Sequence, residues 1–73
     1  MTKQELGERV RAHRVLAALS QQEAAVEIGL TQQRLSAIER GKVDPRTSTM
    51  WKIMRGLKVE PNTFFGPVPN VST

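Results

Sequence analysis

Seventy-three residues make one domain and no more, and a domain of that size buries only about 60% of its unfolded surface, so its core must be well packed. The absence of cysteine excludes disulfides and thiolate metal sites. Apolar stretches of only a few residues, and an N-terminus without a signal-peptide core, leave a soluble cytoplasmic protein as the expectation. Eleven Lys and Arg against seven Asp and Glu give a formal charge of +4, a balance that favours polyanionic partners, above all nucleic acid, although a merely soluble basic domain has it too.

The spacing of Leu6, Val10 and Ala17 predicts a first helix over Gln4 to Ala18. Leu19-Ser20 breaks that pattern, and Ser20-Gln21-Gln22-Glu23 reads as a capping box that opens a second helix at Gln21. This helix runs to Ile28 with Ala24, Ala25 and Ile28 inward, and Gly29 ends it where a left-handed residue is wanted. Thr31 caps a third helix, Gln32 to Arg40, with Leu35 and Ile38 on its inner face. Gly41 stops it, and Asp44-Pro45 holds the loop that follows. Thr47 or Ser48 opens a fourth helix that ends near Leu57, with Met50, Ile53 and Leu57 inward. Pro61 suits the first turn of a short fifth helix through Phe65. The domain is placed at residues 1–66, with 67–73 as an extended or disordered tail. The fold class is all-α, a compact five-helix bundle. Its predicted core is Leu6, Val10, Leu19, Ala24, Ile28, Leu30, Leu35, Ile38, Met50, Ile53, Leu57, Val59 and Phe64.

The informative segment is Gln21 to Arg40. Two helices that cross at about 90–120° need a small residue where their backbones approach, which Ala25 supplies. The turn between them needs positive φ, which Gly29 supplies. The run Leu-Ser-Gln-Gln-Glu-Ala-Ala-Val-Glu-Ile-Gly-Leu-Thr-Gln-Gln-Arg-Leu-Ser-Ala-Ile-Glu-Arg-Gly-Lys, residues 19 to 42, resembles the Cro/C1-type (Xre-like) helix-turn-helix family of bacterial and phage regulators. The likeness extends over about residues 6 to 65 and includes Arg14, Pro45 and the Leu57-Lys58-Val59 ending of the fourth helix.

That resemblance implies a lambda-repressor-like fold whose third helix enters the major groove of double-stranded DNA. The positions facing base edges are then Thr31, Gln32, Gln33 and, one turn on, Ser36 and Ala37. Glutamine is apt, because its amide can pair with adenine N6 and N7 together; both glutamines also suit an ordinary exposed helix face. Gln21 and Gln22 begin the second helix, where side chains and amides meet phosphate. Lys42 and Arg46 flank the loop as phosphate clamps or as solvated loop residues. Arg34 grips a phosphate, reaches a base or stays in solvent, and Arg40 is left outside the set. By the same resemblance Arg14 and Glu39 form a partly buried salt bridge between the first and third helices. Trp51 lies off the apolar stripe of the fourth helix. With Phe65 it suggests a self-association surface, and many regulators of this family dimerise at that end.

His13 has no Asp, Glu or Cys at ligand spacing, so no metal or other cofactor is expected. No arrangement of Ser, His, Asp or paired carboxylates suggests an enzyme, and no second domain offers an inducer site, so no small-molecule ligand is expected. The preferred reading is a homodimeric transcriptional regulator, most simply a repressor that blocks a promoter, its own promoter included, and that recognises an inverted repeat. It resembles phage Cro or repressor fragments and restriction-modification controller proteins, and contact with RNA polymerase is the route to activation. The competing reading is a protein-interaction module, such as an antitoxin, that docks on a partner. An RNA binder is disfavoured, because no exposed aromatic stacking surface is evident.

Overall fold

Thr2 closes a capping box with Glu5: the Glu5 N–H donates to the Thr2 hydroxyl and the Thr2 N–H to the Glu5 carboxylate. This starts α1 (Lys3–Leu16) one residue before the expected position, and the Thr-x-x-Glu signal for it stands in the sequence. The computed structural model describes residues 1–71. The helices that follow are α2 (Gln21–Ile28), α3 (Gln32–Glu39), α4 (Thr47–Leu57) and α5 (Pro61–Phe64), and no strand occurs among the described residues. α1 ends two residues early because Ala18 turns left-handed, at φ 60°. Ala17, expected on the inner face, therefore lies past the helix end and is exposed. The expected tail over 67–73 carries no helix as far as Val71, with Pro69 and Val71 half-buried; its Ser72 and Thr73 lie outside the described residues.

α1 packs chiefly on α3, and α2 on α4 and α3. The first contact is very close. A Cβ on Gly7 would fall on the carbonyl oxygen of Ile38 and 2.8 Å from that of Glu39, so only glycine lets the two backbones meet. The core contains Val10, Ala24, Ala25, Ile28, Leu35, Ile38, Met50, Ile53, Met54, Leu57 and Phe64. Leu6, Leu19, Leu30 and Val59, expected inside, are half-buried and pack on its edge with Val43. Ala12, His13 and Met54 are buried although the sequence pattern did not place them there. Met54 extends the α4 stripe to Met50, Ile53, Met54 and Leu57, the i, i+3, i+4, i+7 pattern of a helix buried on one side.

Candidate nucleic-acid interface

The recognition unit is built from two capped helices and one left-handed turn. At α2 the Ser20 hydroxyl accepts from the Glu23 N–H at 3.0 Å, and the Glu23 carboxylate accepts from the Ser20 N–H at 2.9 Å. These bonds, the backbone one foremost, hold the Glu23 carboxyl below the usual carboxylate range. The N–H groups of Gln21 and Gln22 are left without partners inside the helix. Gly29 ends α2 at φ 90° and ψ 33°, and its N–H and that of Leu30 both donate to the Ala25 carbonyl. A side chain at Gly29 would meet nothing within 4 Å, so backbone conformation alone demands the glycine. Thr31 then accepts from the Arg34 N–H at 3.1 Å and fixes the start of α3.

α3 buries Leu35 and Ile38 and presents the opposite side. Gln32, Gln33 and Arg34 are exposed, while Ser36 and Ala37 are half-buried. Gln21, Gln32, Gln33, Ser36 and Arg40 line a shallow polar concavity of about 280 Å³ between α2 and α3. Thr31, Ala37 and Gln22 lie outside that lining. Arg40, absent from the expected contact set, enters it. The backbone explains why: the Arg40 Nε donates back to the Ser36 carbonyl at 3.4 Å, which folds the side chain along its own helix. Lys42 and Arg46 are exposed on the connecting loop, and a side chain at Gly41 would stand 3.0 Å from the Gln4 Cα, so this loop lies against the start of α1.

The one acid on α3 is removed from the exposed face. Glu39 has a side chain only 3% exposed and accepts from the Arg14 Nε at 2.7 Å and Nη2 at 3.0 Å. Arg14 also donates through Nη1 to the Leu19 carbonyl at 2.9 Å, which ties the α1–α2 connection to the same guanidinium. The Gln21 amide donates to Glu39 Oε1 at 3.2 Å, so one of its two amide protons serves the interior. With Glu39 paired inward, the charges that α3 and its following loop show to solvent are Arg34, Arg40, Lys42, Asp44 and Arg46, a clear positive excess.

A second, apolar feature involves α4 and α5. Trp51 is 55% exposed and Phe65 45% exposed. With Met1, Leu6, Met50 and Met54 among others they line a groove of about 360 Å³. No group of three His, Cys, Asp or Glu residues is placed to hold a metal ion among the described residues. No helix among them is long and apolar enough to cross a membrane.

The sequence pattern of the HTH_3 helix-turn-helix family matches residues 10–64, and the chain belongs to that family. It is 35% identical over 54 residues to an uncharacterized HTH-type transcriptional regulator of Methanocaldococcus jannaschii, a match that covers 71% of this chain and 82% of the relative. Among solved structures it is similar to the restriction-modification controller protein C.AhdI of Aeromonas hydrophila, with TM-score 0.82, 28% identity, and coverage of 86% of this chain and 91% of that one. It is also similar to an HTH_3 family transcriptional regulator of Vibrio cholerae, with TM-score 0.83 and 32% identity over 89% of this chain but only 36% of that longer one. The controller protein C.Esp1396I shares the fold at TM-score 0.82 and 24% identity.

Proposed function

We propose that this protein is a sequence-specific, double-stranded DNA-binding transcriptional regulator that works in the cytoplasm as a homodimer. The observation that carries the reading is the exposed side of α3. Gln32, Gln33 and Ser36 project beside Arg34 and Arg40, while the only acid of the helix is paired inside with Arg14. Membership of the helix-turn-helix family and likeness to HTH-type transcriptional regulators support it.

In this reading Gln32 and Gln33 hydrogen-bond base edges in the major groove, with Thr31, Ser36 and Ala37 in reach of the same step. Gln22, Arg34, Lys42, Arg46 and the N–H groups at the start of α2 take phosphates, and Arg40 joins them. Gln21 contributes mainly by its backbone, since its amide also serves Glu39. The groove beside Trp51 and Phe65 takes a second copy of the chain across a twofold axis, each protomer offering both the projecting aromatics and the recess. The two α3 helices then stand about 34 Å apart and read an inverted repeat. Binding over a promoter blocks RNA polymerase, and binding beside one allows contact with it. The likeness to C.AhdI along 91% of that chain favours a controller-type regulator.

Selection from a random duplex library at about 0.1 M salt tests this. Enrichment of a short inverted repeat, weakened by Gln32→Ala, is expected. Uniform, weak, salt-sensitive binding without enrichment overturns it in favour of a docking module such as an antitoxin.

A further inference from the structure

α1 carries a buried polar pair that the DNA-reading face does not use. Arg9 and His13 stand one helical turn apart, and Arg9 Nε and His13 Nε2 are both buried without a hydrogen-bond partner. His13 is 4% exposed. Its imidazole stacks on the Phe64 ring with centroids 5.4 Å apart and planes at 27°. Phe64 meets Phe65 edge-on at 5.1 Å and 86°, and Phe65 lines the apolar groove. A continuous run of three rings thus joins the interior of α1 to the groove.

α5 depends on that run. It has four residues, no side-chain cap and Phe64 as its single buried residue. A helix this short has no stability of its own, so the burial of Phe64 in the core, with His13 stacked on its ring, is what holds it.

We propose that His13 is a proton-operated latch on α5: when the ring takes a proton, Phe64 leaves its seat, α5 detaches, and the groove loses Phe65 and Pro61, so that pairing of two copies weakens in mild acid. This rests on the reading of the groove as the homodimer surface. An imidazolium at this place would carry a buried charge and an Nε2–H with no acceptor. Burial, and then the nearby Arg9 charge, hold the ring below the ordinary histidine value of 6.5. The charge that acts on it is that of Arg9, one turn before it on α1. The closed form therefore binds fewer protons than the open form, whose solvated ring titrates near the ordinary value. Dimer affinity is constant above pH 6.5 and falls below it, limited by two protons per dimer, about a hundredfold per pH unit.

The test is sedimentation equilibrium of the full chain from pH 7.5 to 5.5 at fixed ionic strength. Amide protection factors at Phe64, Phe65 and Gly66, whose N–H groups bond the carbonyls of Glu60, Pro61 and Thr63, are measured alongside. The wild-type dimer is expected to weaken about tenfold or more, with protection in α5 lost before protection in α1. His13→Phe, which keeps the stack and cannot take a proton, is expected to be flat. Arg9→Gln removes the neighbouring cation, brings the closed-form ring nearer the open-form value, and is expected to shrink the total loss in acid without moving its onset. A pH-independent wild type, or an equal slope in His13→Phe, overturns the latch. Should His13→Phe not fold, an undiminished acid loss in Arg9→Gln overturns it. A chain that stays monomeric at every pH overturns the homodimer reading instead, and protection in α5 then decides: acid-dependent loss supports the latch, and constancy refutes it.

Discussion

Glu39→Ala removes a carboxylate with a side chain only 3% exposed and with it three hydrogen bonds, two from Arg14 and one from Gln21. Arg14 keeps one bond, to the Leu19 carbonyl, and is left as a cation whose side chain is 14% exposed and has no counter-charge. Breaking one side of a buried pair costs about 3–5 kcal/mol. The partial exposure of Arg14 lets water reach it, which places this case near the lower end, about 3 kcal/mol. A domain of 73 residues has a total stability of about 4–11 kcal/mol. The variant thus loses between a quarter and most of its margin, and its melting temperature falls by about 12–24 °C.

Thermal melts followed by far-UV circular dichroism read this directly. DNA binding at 37 °C is expected to fall with the folded fraction and to return when binding is measured in the cold or with a stabilising osmolyte, because Glu39 itself faces away from the exposed side of α3. The double variant with Arg14→Ala is expected to be less damaged than the two single losses added together, since the orphaned cation is then gone. A Glu39→Ala protein that melts within about 3 °C of the wild type refutes the reasoning. So does one that melts normally yet fails to bind, because it would make Glu39 part of the DNA contact.

Gly7→Ala is expected to destabilise by about 1–3 kcal/mol or more, because the new methyl must push α1 away from the Ile38 carbonyl; an unchanged denaturant midpoint would exclude the close approach. Lys42→Ala and Arg46→Ala are each expected to weaken binding evenly across sequences and to flatten the salt dependence by about one unit per protomer, with melting unchanged. Ala18→Gly is expected to stabilise by a few tenths of a kcal/mol up to about 1 kcal/mol, since Ala18 holds φ 60° at the end of α1; denaturant titration gives the sign.

The helices were legible where side chains announce their ends. Ser20 with Glu23, Gly29, Thr31 and Pro61 mark boundaries by local chemistry, and α2 runs between the residues so marked. The end of α1 was not legible, because it rests on an alanine in a conformation that alanine disfavours, and composition gives no sign of that. Burial was legible where apolar residues recur at helical spacing, as along α4. It was not legible at His13, where a polar residue is buried by what lies across from it, a ring some fifty residues away in sequence. Spacing also gave Ala25 the role of the close contact in the turn. A further close backbone approach to α3 is made by Gly7, in a helix whose own pattern gave no reason to expect it. Arg40 was missed in the concavity between α2 and α3 because its place there depends on how the side chain folds back on Ser36, which no spacing rule encodes.

α1 is the element through which the two faces of the molecule meet. One side of it, at Gly7 and Arg14, is pressed and bonded to α3 and so sets how the reading helix stands out from the domain. Another side, about a third of a turn round, carries Arg9 and His13 and seats Phe64 of α5. In the proposed function, a change on the first side alters DNA recognition through folding, and a change on the second alters it through pairing of protomers. The two are separable by measurement: Glu39→Ala should shift melting of a monomer at any concentration, whereas charging His13 should act on affinity for a repeat of two half-sites and leave affinity for a single half-site nearly unmoved. Equal losses on both kinds of site in mild acid would mean that the charge disturbs α1 as a whole, and the division of labour between its two sides would fail.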